Sequence, residues 1–521
     1  MRSKILKAMD IFADERYFRL RLFLEGMLIG AMTGTVIAAF RGLLEVSEDI
    51  RPRLYNWIAA QGFLAAAGYF LFLAILAWIL WRLVQFEPLS SGSGIPQIKG
   101  ILLGRMHMDW ARVLAAKFLG GVLAIGAGMS LGREGPSVQL GACVGQGISR
   151  IARRSRAEER FLLTAGSGAG LAAAFNAPLA GVIFCLEELT KNFSPLVLMA
   201  TIAAAVISTA VTQLAFGGAP VFHMGQLPVM PMRLYGLLLL LGLFVGALGL
   251  GFNRALLFSL DRYDRSPLRG MARPLLPLFA AGVLGFVLPE ILGGGNRLVD
   301  SLVTTDYDAV LLLLLLLGKF CFTMLCFGSG VPGGIFLPML VLGALGGAIF
   351  AKGALFFGLM DPAYAVDFIV FGMAAYFAAV VKSPVTGSIL IMEMTGSFQH
   401  MLALICVSMA AYLVTDMARG KPVYDALLER SLAIQRRLQR AIRRRRVVVE
   451  VVVGPGSVMD GAFIHALPWP KHSLIVDVRR GEEEYVPDGA LRLAAGDYVY
   501  VLANDADIAA IQQQAAEHFT G

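Results

Sequence analysis

Glu134 stands in the stretch Gly132-Arg133-Glu134-Gly135-Pro136, behind a run from Phe118 to Leu131 that contains no charged residue. An acid set so deep in apolar sequence can take up and release a proton, and such residues are functional candidates by default. The Gly-Pro that follows starts a helix, whose free backbone N–H groups and dipole suit a negative charge. Ionised, the carboxylate competes with an anion for a helix end; protonated, it withdraws. One side chain can then gate anions and carry protons. The alternative is structural, an ion pair with Arg133 at a helix N-terminus.

Three more Gly/Pro breaks can each start a helix: Ser93–Pro96, Gly333–Phe336 and Lys421–Tyr424. The first belongs to Ser90-Ser91-Gly92-Ser93-Gly94-Ile95-Pro96. That stretch is either an interhelical surface loop or irregular backbone lining a polar cavity, where such backbone is tolerated at depth. Helix starts aimed at one point make an anion site without any full positive charge. A buried lysine would hold the anion too tightly to release it, whereas the hydroxyls of Ser93 and Tyr424 add neutral donors. Glu187 and Glu188 point about 100° apart on a helix, so at most one faces a given path. They read as a solvated helix end or as a second proton relay. Lys117 and Lys319 are helix-packing or field-shaping residues. With no metal-ligand spacing and no Ser/His/Asp set, neither an enzyme nor a metal or cofactor is expected.

These residues need a membrane to sit in. Of 521 residues 57% are hydrophobic and 16% charged, which excludes an ordinary soluble protein and gives a polytopic membrane protein. The 58 glycines suit close helix approach. Apolar spans run over 26–40, 62–81, 113–131, 164–189, 195–216, 234–252, 275–288, 310–317, 331–351, 368–381 and 401–414. Several are too short for a full crossing, so half-spanning and tilted helices are expected. The five cysteines lie in apolar stretches and read as buried thiols. Residues 1–21 read as a cytosolic amphipathic lead-in, and the basic residues Arg150 to Arg160 as cytosolic.

The halves repeat. Lys117-Phe118 matches Lys319-Phe320, and Gly132 and Pro136 match Gly334 and Pro338, each at an offset of 202. Pro178, Gly181 and Glu187 match Pro384, Gly387 and Glu393 at 206. Repeats with broken helices at matching places point to a transport site between them. Phe336 stands where the first half has Glu134, so the acid is not duplicated. Glu188 likewise lacks the repeat partner that Glu187 has in Glu393.

Past Met417 the character changes. Arg430 to Arg446 holds eight arginines and no acid, a cytosolic membrane-edge helix that reads as a stop flank, with a partner-binding basic patch as the alternative. Residues 447–521 carry a net charge of −7 and read as a small α/β domain against the basic cytosolic face. Strands are expected at 447–453, 473–478 and 498–502, and a closing helix at 508–519.

Gly92-Ser93-Gly94-Ile95-Pro96, Gly132-Arg133-Glu134-Gly135-Pro136, Gly334-Ile335-Phe336-Leu337-Pro338, the Ala174–Gly181 run and Tyr424 together resemble the signatures of the CLC family of chloride channels and proton-coupled transporters. The tail resembles a TrkA-C domain through Asp477-Val478-Arg479-Arg480-Gly481, Val486-Pro487-Asp488-Gly489 and Ala495-Gly496-Asp497, where eukaryotic CLC members carry paired CBS domains.

The resemblance implies an all-α polytopic membrane protein, a CLC-type inverted repeat of tilted and half-spanning helices, plus the small cytosolic domain. Its parts are the lead-in 1–21, the transmembrane domain 22–430 (repeats 22–216 and 233–430), the linker 431–446 and the regulatory domain 447–521. It implies a homodimer with one pathway per subunit, and an anion held by the Ser93 hydroxyl, the Ile335 and Phe336 backbone N–H groups and the Tyr424 hydroxyl. Glu134 resembles the outer gating acid and Glu188 the inner proton acid, with Arg133, Gly135 and Lys117 in support. Glu188 favours chloride/proton exchange over a passive voltage- or pH-gated chloride channel, and Ser93 favours chloride over nitrate or fluoride. The implied partners are chloride, protons, the lipid bilayer and a small molecule on 447–521, with no nucleic acid. The implied location is the bacterial inner membrane, with both termini cytosolic. A cation uptake protein, which the tail suggests, would need a Thr-Val-Gly-Tyr-Gly filter that the sequence lacks.

Overall fold

Glycine and proline punctuation sets where the helices begin. The computed structural model describes residues 2–225, 227–443, 446–470, 473–504 and 507–516. Its first half runs α1 (Arg2–Gln61), α2 (Phe63–Phe86), α3 (Ile95–Leu102), α4 (Trp110–Gly126), α5 (Glu134–Ile151), α6 (Arg156–Phe175), α7 (Pro178–Phe184) and α8 (Pro195–Phe216). The second runs α9 (Tyr235–Arg265), α10 (Ala272–Val287), α11 (Asn296–Thr304), α12 (Ala309–Gly328), α13 (Phe336–Phe356), α14 (Ala365–Val381), α15 (Pro384–Thr395) and α16 (Met401–Met417). Each helix of the first set has its counterpart in the second. The short α3 and α11 both follow a left-handed glycine, Gly94 (φ 97°) and Gly295 (φ 103°). Both α6 and α14 end on a left-handed residue, Asn176 (φ 54°) and Lys382 (φ 65°), just ahead of a proline-started helix. Helix α17 (Val423–Arg443) follows the sixteen without a counterpart among the described residues.

Eight described helical stretches are long and apolar enough to cross a membrane. By contrast, α3 has eight residues, about 12 Å of helix, and cannot span a hydrocarbon core of about 30 Å. Close packing lets such short pieces stay buried. At Gly141, Gly145, Gly166 and Gly170 a side chain would collide with backbone carbonyls across the α5–α6 contact. Gly343, Gly347 and Gly372 repeat this between α13 and α14. Small residues of this kind let membrane helices approach backbone to backbone.

The halves join through their loops. Gly132 N–H donates to Gly334 O at 2.7 Å, and Gly334 N–H donates back to Gly132 O at 2.8 Å. Equivalent residues bonded reciprocally mark a local two-fold relation between the repeats. Beside them, Gly92 N–H donates to Val331 O at 3.1 Å and Gly333 N–H to Gly92 O at 3.0 Å.

This pairing corrects the expected span 331–351, because 331–334 serve as paired backbone and α13 begins only at Phe336. Helix α1 likewise does not stop near Phe40. It continues through charged turns, one held by an Arg41–Glu45 pair at 2.6 Å, and through Pro52. Cys143, Cys185 and Cys326 are buried, but Cys321 is exposed and Cys406 half-buried, since outward faces of these helices are apolar too.

The chain divides into two compact units, Met1–Leu428 and Glu429–Gly521. In the second, β1 (Arg446–Val452), β2 (Leu474–Arg480), β3 (Glu483–Tyr485) and β4 (Tyr498–Asn504) form an antiparallel sheet in the order β1-β4-β2-β3, and α18 (Ile508–Ala516) follows. Val449, Val451 and Val453 alternate inward with Val499 and Val501, building the core with Val478 and Ile511. The expected helix at 508–519 extends at 517–519 beyond the described residues.

Candidate functional site

Ser93 directly precedes the Gly94 cap of α3, Ile335 caps α13, Phe336 opens it, and Tyr424 is the second residue of α17. Ser93 is 2% exposed, while Ile335, Phe336, Tyr424 and Glu134 are fully buried. The starts of α3, α5 and α13 meet closely. A side chain at Gly135 would collide with Ser93, and one at Gly334 would sit 3.2 Å from the Gly135 nitrogen. The Phe336 ring is held by Phe377, Phe175 and Phe184, at centroid distances of 4.8, 5.2 and 6.3 Å. Those contacts fix the α13 start with its free amides.

Neither the Ser93 Oγ nor the Tyr424 hydroxyl meets a hydrogen-bond partner among the described residues. A buried hydroxyl left unpaired costs about 1–3 kcal/mol, so each suits a ligand that accepts a hydrogen bond from it. The donors are neutral, and together with helix-end amides they suit a halide.

The Glu134 carboxylate turns toward its own amide and that of Leu337, the second residue of α13, without closing a full hydrogen bond. Arg133 Nε is 4.0 Å away and itself unbonded. The carboxylate therefore lies across the start of the opposite repeat's helix, in competition with any anion placed there. The ion pair of the structural alternative is present in this long form, with a carboxylate that also faces the helix-start amides.

Glu188 lies in a π-helical turn, Cys185–Leu189, that continues α7; such turns recur at functional sites. The turn separates the two adjacent acids. Glu187 accepts from the backbone N–H groups of Val385 (3.3 Å) and Thr386 (2.7 Å) at the start of α15. Glu188 is 2% exposed and accepts from Lys99 Nζ at 2.7 Å and Ser383 Oγ at 3.1 Å. Tyr424 lies within electrostatic reach of both Glu188 and Glu134.

Lys117 is fully buried, and its ammonium donates to Ser90 O (2.9 Å) and Gly92 O, pinning the loop that carries Ser93. Lys319 does the same for Ile291 O and Gly293 O at 3.0 and 2.7 Å. Each fixes an irregular loop ahead of a short helix.

Sequence reasoning missed Lys99, Asp425, Ser383, Arg41 and Arg297. Arg41, Arg133 and Arg297 line a cleft of about 270 Å³ together with Glu45, Glu48, Asp49 and Asn296, which leads from the surface toward Arg133 beside Glu134. Lys99 was legible as a charge six residues after Ser93 within a buried helix, and Asp425 as the acid following Tyr424.

In the tail, Arg480 donates to both Asp497 oxygens at 2.8 Å, and Asp497 also accepts from Ala494 N–H at 2.8 Å. Burial opposes the Asp497 charge, but the Arg480 fork and that amide hold its carboxyl below the usual range. These two motif residues brace the domain.

Residues 71–416 match the family model described as voltage gated chloride channel, and 448–516 match the TrkA-C domain model. Over 427 residues the chain is 37% identical to the H(+)/Cl(-) exchange transporter ClcA of Salmonella paratyphi B, covering 80% of this chain and 90% of that protein. It is similar to the crystal structure of a slow cyanobacterial Cl-/H+ antiporter, with a TM-score of 0.76, 33% identity and coverage of 80% and 99%. A CLC-type fluoride/proton antiporter shares the fold at a TM-score of 0.64 and 24% identity, covering 76% of this chain and 95% of that one.

Proposed function

Because the chain belongs to the voltage-gated chloride channel family, we propose that it exchanges chloride for protons across the membrane. The observation that carries this reading is the pair of buried acids that both lie within electrostatic reach of Tyr424. Glu134 lies across the start of α13, and Glu188 is charge-paired at the end of α7. An anion pathway alone needs neither.

Chloride is held by the Ser93 and Tyr424 hydroxyls and by the Ile335 and Phe336 backbone N–H groups, all without a full positive charge in contact. Ionised Glu134 competes for the α13 amides; a proton removes its charge and frees them. Glu188 exchanges protons with the cytosolic side. Lys117 keeps Ser93 in place by holding its loop, Gly135 lets α5 approach Ser93, and Arg133 draws anions toward the outer cleft. Nothing is converted chemically, so the protein is a transporter and not an enzyme.

The same reading gives a homodimer with one pathway per subunit in the lipid bilayer of a bacterial inner membrane, with both termini cytosolic. Residues 447–521 regulate transport by binding a small molecule. Purified protein in chloride-loaded vesicles tests the function. An imposed pH gradient is expected to drive chloride uphill; a reversal potential that follows chloride alone would refute exchange.

A further inference from the structure

Lys99 and Asp425 tie Glu188 to α3, which starts just after Ser93, and to α17, which carries Tyr424. Lys99 is on α3, behind Ser93, and Asp425 follows Tyr424 on α17. The Lys99 ammonium donates to Glu188 and also to Asp425. The second Asp425 oxygen accepts from Lys191 at 2.7 Å. Exposure rises along this chain, from 2% at Glu188 and 5% at Lys99 to 28% at Asp425 and 54% at Lys191. Ser383 is the remaining partner of Glu188, while Glu187 faces α15 and Lys382 pairs with Asp416. Tyr424 is the other titratable group within reach.

We propose that Lys99 and Asp425 form a charge clasp through which a proton on Glu188 strengthens the hold of the Ser93–Tyr424 site on chloride. The proposal rests on the antiporter reading and adds the means by which the two ions sense each other.

With Glu188 ionised, two carboxylates and two ammonium groups cancel. A proton on Glu188 leaves Lys99 shared with no second anion, and the cluster gains one net positive charge. The Glu188 carboxylate whose charge is lost lies against Lys99, and Lys99 is six residues from Ser93, roughly 9 Å of helix. At an effective dielectric near 20, one charge at that distance changes anion affinity on the order of tenfold. Buried ion pairs add little stability for what they cost, so a registry or switching role accounts for this one better. Lys99 and Asp425 are positioning residues, since neither is a ligand of chloride.

Opposite signs make the test selective. Chloride binding to the full-length protein is measured by calorimetry across pH in a Glu134→Ala background, so that the outer acid no longer titrates. Affinity is expected to tighten on acidification, on the order of tenfold, and adding Glu188→Gln should flatten that dependence. Lys99→Met removes the counter-charge and moves its midpoint up by about one pH unit or more. Asp425→Asn leaves Lys99 to Glu188 alone and moves it down, while Lys99→Arg leaves it in place. Shifts of the same sign in Lys99→Met and Asp425→Asn, or no shift in either, would overturn the clasp. So would a midpoint displaced in Lys99→Arg, or an unchanged pH dependence in Glu188→Gln. Absence of chloride binding in the Glu134→Ala parent would instead contradict the antiporter reading itself.

Discussion

Glu187 and Glu393 each cap the first turn of a helix in the opposite repeat. Glu187 takes the N–H groups of Val385 and Thr386, and Glu393 takes those of Leu179 and Ala180 at 3.1 and 2.8 Å. The duplicated acids thus join the halves, and the proposed ion roles fall to the unduplicated Glu134 and Glu188. Charge-assisted caps of this kind contribute about 1–2 kcal/mol each. Glu187→Ala and Glu393→Ala should lower the unfolding temperature in detergent by similar amounts. A variant that kept its unfolding temperature would show that the caps do not hold the repeats.

The glycine contacts make a sharper contrast. Gly141 faces the Gly166 carbonyl with no room for a methyl group, whereas Gly353 has nothing within 4 Å. Gly141→Ala should therefore sharply reduce the yield of folded protein. Gly353→Ala should be neutral or stabilise its helix by about 0.5–1 kcal/mol. Equal yields of folded protein by size-exclusion chromatography would count against the backbone contact.

Much of the site was legible because it is local. Gly and Pro mark the starts of α3, α5, α13 and α17, and the repeat offset paired Lys117 with Lys319. What escaped is held by distance in the chain: Lys99 and Asp425 are 326 positions apart, and nothing in either neighbourhood announces the other. Helix extents were also hidden where a helix stays regular while its surroundings change from apolar to charged, as α1 does beyond Phe40 and α9 beyond Phe252. The three-residue β3 begins inside the acidic run Glu482–Glu484, has no strand pattern of its own, and is defined only by its pairing with β2.

The two buried lysines should separate function from stability. Lys117→Met releases the loop that carries Ser93, so chloride affinity should fall several-fold along with stability. Lys319→Met releases the loop ahead of α11 and should lower stability to a similar degree with chloride affinity near wild type. Calorimetric titration with chloride distinguishes the two; equal losses of affinity would mean that Lys117 has no special tie to Ser93.

Asp497 gives the tail an acid-labile brace. Its folded pKa lies below the unfolded value of about 3.9. The stabilisation is therefore complete well above pH 4 and is lost as pH falls through the folded value. Hydrogen exchange at β2 and β4 of the full-length protein should quicken below about pH 4 and be fast already at neutral pH in Asp497→Asn. Unchanged protection in that variant would remove the Arg480–Asp497 fork from the account.

The proposed exchange requires one carboxylate, Glu134, both to block the anion position and to carry the proton. The direct measurement is simultaneous chloride and proton flux from vesicles containing Glu134→Ala. Chloride efflux without proton movement, at a rate independent of pH, is the predicted result. Proton uptake still locked to chloride efflux in that variant would contradict it.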